Sequence, residues 1–254
     1  MAFGPGSHLH LIDGSGYIFR AYHALPPLSR QSDGLPVGAV SGFCNMLLRY
    51  IENRNGVTHA AVIFDFSATT FRNEIYPPYK ANRPEPPEDL RPQFPLTREA
   101  TRAFNLACIE AEGYEADDII ATLTARACAA GGEVTIISSD KDDGVIAYFG
   151  VPPERVIDVQ ALAGDSVDNV PGAPGIGLKT AALLIGEFGD LDTLLARADE
   201  IKQPKRRETL IRNAEQVRIS RRLVQLRDDM PLEVGLDDLA IRDPDPEALL
   251  GFLT

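Results

Sequence analysis

Ala60-Ala-Val-Ile-Phe-Asp65 is a continuous apolar run that ends in an acid. Runs of this kind belong to strands buried on both faces, as in a parallel sheet. Upstream, His8-Leu-His-Leu-Ile-Asp13 alternates, turns apolar and again terminates in aspartate, before a glycine turn at Gly14-Ser-Gly16. Downstream, residues 107–110 read as a short strand, and Glu133-Val-Thr-Ile-Ile-Ser138 delivers Asp140 and Asp142 just past its end. Open α/β sheets place their ligands beyond the C-terminal ends of the strands. The pattern therefore predicts an α/β fold, a mostly parallel central sheet flanked by helices, with acids along one edge. The glycines after Asp13 lack the spacing of a dinucleotide fingerprint.

Gly113-Tyr-Glu-Ala-Asp-Asp118 precedes an apolar stretch and reads as a helix start with Glu115, Asp117 and Asp118 on its first turn. Unpaired backbone N–H groups tolerate carboxylates there. Three so close together still repel one another, and divalent cations commonly relieve that repulsion. Other helices are expected over residues 37–53, 97–106, 158–163 and 180–186, with apolar residues at helical spacing in the first. Residues 71–95 lack core periodicity and read as an excursion over the sheet edge.

The chain has 254 residues and a formal net charge of −12. That length suits one large domain or a main domain with a helical appendage. We divide it at 1–163, an α/β core with a gateway segment over about 72–97, and 164–254, a helical region. No apolar run approaches the roughly 18 residues of a membrane helix, and the N-terminus lacks a signal pattern, so a cytoplasmic, membrane-free protein is expected. Cys44, Cys108 and Cys128 have no metal-ligand spacing and are expected as buried free thiols. Net negative charge argues on its face against nucleic acid, but a cluster of site acids would bias the total.

Nine acids are worth pooling: Asp13, Asp65, Glu115, Asp117, Asp118, Asp140, Asp142, Asp165 and Asp168. Two or three of them are expected to be ordinary surface or cap residues. Oxygen-only ligands favour Mg²⁺ or Mn²⁺, and nothing suggests zinc. Two such ions roughly 3.5–4 Å apart form a clamp for phosphodiester hydrolysis. Pro171-Gly-Ala-Pro-Gly-Ile-Gly-Leu-Lys-Thr180 reads as a hairpin between helices that grips a nucleic-acid backbone. Its candidates are Gly172, Gly175, Ile176, Gly177, Lys179 and Thr180. Arg72, Lys80, Arg83 and the run Lys205-Arg206-Arg207 offer further positive charge. For Arg72 and Lys80 a solvated surface position fits equally well, and for the Lys205 run a solvated helix face fits better. Tyr22, Tyr76 and Tyr79 serve either base stacking or packing.

Together these phrases resemble the 5′ nuclease domain of bacterial DNA polymerase I and, more widely, the flap endonuclease family. The matches are Leu11-Ile-Asp-Gly-Ser-Gly16, Phe64-Asp65, Tyr79-Lys-Ala-Asn-Arg83, Gly113 to Asp118, Ser139-Asp-Lys-Asp142, Gly164-Asp-Ser-Val-Asp-Asn-Val-Pro-Gly172 and Pro174 to Ala181. The resemblance implies a PIN-like nuclease fold and a C-terminal helical region with a helix-hairpin-helix-type motif. It also implies a metal-dependent enzyme that removes 5′ flaps and RNA primers at nicks and junctions, using two or three Mg²⁺ or Mn²⁺ ions. Its partner is nicked or branched duplex DNA with a 5′ single strand, and the protein is expected to act as a monomer, stand-alone or excised from a larger polymerase chain.

By that likeness Asp13, Asp65, Glu115, Asp117, Asp140 and Asp142 look like the metal core, and Asp118, Asp165 and Asp168 like its outer or second-ion side. Lys80 and Arg83 look like catalytic basic residues at the foot of an arch, while Arg72, Tyr79, Lys205, Arg206 and Arg207 join the DNA contacts. Gly172 to Lys179 look like the duplex-binding loop, which in the family also holds a monovalent cation such as K⁺. One departure is large: the family pattern has another strand and helix after Asp142, and about thirty residues are missing or omitted there. The alternatives are a non-catalytic DNA-binding protein on the same fold and a metal-dependent small-substrate phosphohydrolase.

Overall fold

Val62 lies in β2 (His59–Ile63), every residue of which is buried, in a computed structural model that describes residues 1–138 and 148–254. Asp140 and Asp142 fall outside the described residues. Numbered along the chain, the other strands are β1 (His8–Asp13), β3 (Ala107–Ile109) and β4 (Glu133–Ile137). All pairings are parallel, in the order β3-β2-β1-β4. The chain order reverses between β1 and β4, so the switch point of this sheet lies beside Asp13.

Strand alternation sorts the apolar residues onto two faces. Leu9, Leu11, Ala61 and Ile63 meet Ile119, Ile120 and Leu123 of α5 (Ala116–Ala129). Ile12, Ala60 and Val62 meet Phe43 and Leu47 of α2 (Gly38–Asn53) and Ala100 of α4 (Gln93–Ala103). Helices on both faces explain why β2 carries no polar alternation. The helix expected at residue 97 begins four residues earlier, at Gln93. Pro95 falls in its first turn, where a missing N–H costs nothing.

Between β1 and the next helix we expected a glycine turn. Instead α1 (Gly14–Ala24) starts directly on the strand, with Asp13 as its N-cap. Gly14 is required by crowding: a Cβ there would stand 2.5 Å from Cε1 of Phe64. Among the thiols, Cys44 is buried and its pKa is pushed up to about 11 by desolvation. Cys128 is exposed, contrary to expectation.

The described residues fall into two compact units: residues 1–68, 85–138 and 227–254, and residues 69–84 and 148–226. In the first, α5 holds the returning C-terminal segment through its polar residues. Asp118, fully buried, accepts from Glu115 N at 3.1 Å and from Arg227 N at 2.9 Å. Thr122 Oγ1 donates to Arg227 O at 3.1 Å, and Arg126 Nη2 donates to Met230 O at 3.0 Å. The same unit ends in α11 (Pro246–Leu253).

The second unit contains α3 (Phe71–Ile75), α6 (Val156–Ala163), α7 (Leu178–Phe188), α8 (Leu191–Ala196), α9 (Pro204–Arg212) and α10 (Ala214–Val224). Its core gathers Val159, Leu162, Ile176, Leu184, Ile185, Leu191, Leu210 and Val217. Helices α6 and α7 flank the expected hairpin. The loop between them crosses itself where a Cβ on Gly164 would meet Val170 O at 2.6 Å.

Asp118→Ala leaves two backbone donors unpaired in the interior, so it should lower unfolding free energy in urea by roughly 2–5 kcal/mol without any metal present. A variant as stable as the wild type would show that Asp118 serves something other than the fold.

Candidate metal and nucleic-acid site

The C-terminal edge of the sheet carries hydrogen bonds that tie acids at or just beyond the strand ends to helix starts and to a neighbouring strand end. Asp13 Oδ1 accepts from Gly16 N at 3.0 Å, and Asp13 Oδ2 from Ser138 Oγ, just beyond β4, at 3.4 Å. Asp65 lies two residues past β2; its Oδ1 accepts from Ala116 N, the first residue of α5, at 2.9 Å. Its backbone is fixed on both sides, N–H to Ser15 Oγ at 3.0 Å and C=O from Arg98 Nη2 at 2.8 Å. Arg98 also pairs with Glu110 at 2.8 Å and lies 4.6 Å from the Phe64 ring centroid. Two helix N-termini thus face the acids, each favouring negative charge by about 0.3–1 kcal/mol.

The three acids opening α5 have different surroundings. Glu115 is the buried N-cap, Asp117 is exposed, and Asp118 is buried and bonded to backbone. Backbone donors satisfy its carboxylate, which explains why a buried acid is tolerated there. Among the described residues, no three His, Cys, Asp or Glu side chains stand close enough to hold a metal ion. What Asp13, Asp65, Glu115 and Asp117 offer is a shared sheet edge and an all-oxygen donor set, which fits a hard divalent cation.

In the second unit, Asp165 Oδ1 accepts from Val167 N at 2.7 Å and Asp168 N at 3.3 Å, closing the turn before the hairpin. Asp168 pairs with Arg83 Nη2 and, at 4.0 Å, with Lys80 Nζ. Both expected metal ligands thus have partners within this unit.

Arg72, expected as a DNA contact, is 1 % exposed. Its Nε donates to Leu223 O at 2.8 Å and its Nη2 to Gln225 O at 3.2 Å, so it ties α3 to the end of α10. Tyr79 is also buried, against Val170 and Leu223, and has no face for a base.

Within the hairpin, Gly172 and Ile176 are buried. Gly172 N donates to Ser220 Oγ at 3.1 Å, its carbonyl accepts from Gln216 Nε2, and Ile176 packs in the core. They shape the loop rather than touch a ligand. Gly175 and Gly177, by contrast, are exposed, and an added Cβ would meet nothing within 4 Å. Gly177 caps α7, with exposed Lys179 and half-buried Thr180 in its first turn. Lys205 is exposed; Arg206 and Arg207 are half-buried, and Arg207 donates to Ile201 O at 3.3 Å.

Arg98, Ser15 and Ser138 were not singled out in the sequence. Ser15 and Ser138 sit beside strand-end acids, a local signal. Arg98 carries none, because its role depends on α4 crossing under Asp65.

Residues 8–147 match the family described as 5′-3′ exonuclease, N-terminal resolvase-like domain, and residues 151–247 match 5′-3′ exonuclease, C-terminal SAM fold. A DNA polymerase I of Rhizobium leguminosarum is 59 % identical over 276 aligned positions, covering 98 % of this chain and 27 % of the relative. The chain thus spans about a quarter of that curated relative. The alignment is longer than the 254 residues of the whole chain, so at least 22 of its positions have no counterpart here. A 5′-3′ exonuclease of Aquifex aeolicus is 36 % identical, covering 93 % of this chain and 88 % of the relative. Among solved structures, a phage T5 flap endonuclease variant in complex with DNA and metal ions has a TM-score of 0.68 at 22 % identity, covering 87 % of this chain and 89 % of that one. That likeness reports the fold, and with the matches above it closes the question of kinship: this chain belongs to the 5′-3′ exonuclease family.

Proposed function

We propose that this chain is a structure-selective, divalent-metal-dependent 5′ nuclease. It hydrolyses phosphodiesters at 5′ flaps, nicks and primer junctions, RNA primers included, and acts as a monomer in the cytoplasm. The observation that carries the reading is the sheet edge. Asp13 ends β1, Asp65 lies two residues past the neighbouring parallel strand β2, and Asp65 bonds the helix start that bears Glu115 and Asp117. A binding protein would gain by losing such mutually repulsive acids. The family membership and the DNA and metal ions named for the phage T5 relative support the same reading.

Asp13, Asp65, Glu115 and Asp117, with Asp140 and Asp142, would hold two or three Mg²⁺ or Mn²⁺ ions. When bound, such ions supply a hydroxide nucleophile near neutral pH and offset charge building at phosphorus. The protein's own groups do the rest. Ser15 and Arg98 keep the Asp65 backbone rigid, so its carboxylate keeps one orientation. Lys80 and Arg83 present cations to the scissile phosphate, with Asp168 as their partner until a phosphate takes its place. The exposed amides of Gly175 and Gly177 and the N-terminus of α7 grip a duplex phosphate without reading bases. Hairpin carbonyls are the proposed K⁺ site. No helix among the described residues is long and apolar enough to cross a membrane.

A labelled 5′-flap duplex should be cut in Mg²⁺ and spared in EDTA. Asp117→Ala should abolish cleavage while flap binding persists, and comparable cleavage by that variant would contradict the assignment. Lys80→Ala should slow single-turnover cleavage by roughly 10²–10³-fold, the usual loss when a preorganised charge at the reacting centre is removed, with little change in duplex affinity.

A further inference from the structure

Lys80 has a left-handed backbone, φ 55°, and so does Asn169, φ 57°. Asparagine tolerates that region; lysine has no such tendency. Strained positions of this kind persist only where their surroundings over-determine them. Within the second unit, residues 78–83 are stitched to residues 165–169 by several hydrogen bonds. Lys80 N donates to Asp168 O at 2.9 Å, and Asn82 Nδ2 donates to Ser166 O at 2.7 Å. Asn169 Nδ2 donates to Pro78 O at 2.6 Å, and Asn73 Nδ2 to Tyr79 O at 3.0 Å. Both peptide carbonyls preceding Lys80 are therefore held by a side-chain amide. The Lys80 ammonium stands 5.1 Å from the centroid of the buried Tyr79 ring and 4.0 Å from Asp168 Oδ2, with its side chain 19 % exposed.

We propose that Asn169 is a positioning residue for Lys80. Its carboxamide clamps the Pro78 carbonyl and so holds the Lys80 backbone in the one conformation that presents the ammonium to phosphate. The inference rests on the reading of Lys80 given above. A four-carbon ammonium stem is flexible, so its direction depends on the backbone beneath it. Displacement of a reacting group by about 1 Å can cost about 10²-fold in rate. Asn73 does the same at Tyr79 O, but it also accepts from Thr70 N at the start of α3, so its loss would damage the helix as well.

Asn169→Gly separates the two roles open to Asn169, because glycine keeps the left-handed turn and removes only the amide. Asn169→Asp removes the donor with a side chain of nearly the same shape. Single-turnover cleavage of a labelled 5′ flap in Mg²⁺ is measured for each variant, alone and combined with Lys80→Ala. Flap affinity in EDTA and thermal unfolding are followed in parallel. Each Asn169 variant should slow cleavage roughly fivefold or more, the loss expected for one hydrogen bond, with affinity unchanged. Neither should slow the Lys80→Ala protein further. Equal losses in both backgrounds would overturn the proposal, since a purely structural residue would act with or without Lys80. Wild-type rates for both Asn169 variants would also overturn it. Wild-type cleavage by Lys80→Ala alone would instead remove the role assigned to Lys80, and the inference with it.

Discussion

The bond between Asp65 Oδ1 and Ala116 N, with its counterpart between Asp13 Oδ1 and Gly16 N, is the constraint on which the rest of the first unit depends. Each joins a strand end to a helix start, so the same carboxylates cap helices and populate the sheet edge. Acids there meet two sets of unpaired N–H groups, which makes their crowding tolerable before any cation arrives. Arg98 adds rigidity by bonding the Asp65 carbonyl while pairing with Glu110 beyond β3. Backbone bonds and a largely buried guanidinium therefore preorganise the edge.

The second unit applies the same economy with different chemistry. Its hairpin is shaped by bonds and packing within the unit: Gly172 bonded to Ser220, Ile176 in the core, Asp165 closing a turn. That leaves Gly175 and Gly177 with open backbone at the start of α7. Positive charge is set the same way. Arg72 is sacrificed to structure, and Lys80 and Arg83 keep their place beside Asp168.

Much of this was legible in the sequence because it follows from local pattern. Buried parallel strands write themselves as apolar runs, so β1, β2 and β4 were placed within two residues and their terminal acids identified. The helix starting after Glu115 announced itself by its acidic turn. Patterns that depend on distant neighbours were not legible. Nothing local separates Asp117, which stays exposed, from Asp118, which is buried under the segment at Arg227. Arg72 reads equally well as a surface group, and Tyr79 as a stacking or a packing residue, until the fold buries both. Pro95 obscured the start of α4, and the glycines after Asp13 suggested a turn where Phe64 demands a close approach instead. Asn169 matters through a carboxamide bonded to Pro78 O, a partner far away in the chain that no local pattern announces.

The most direct measurement is a crystal of the intact chain soaked in Mn²⁺, with anomalous scattering collected to locate the ions. The account predicts anomalous peaks bound by Asp13, Asp65 and at least one of Glu115 and Asp117. Peaks confined to other parts of the molecule, or an edge without manganese at saturating concentration, would contradict it.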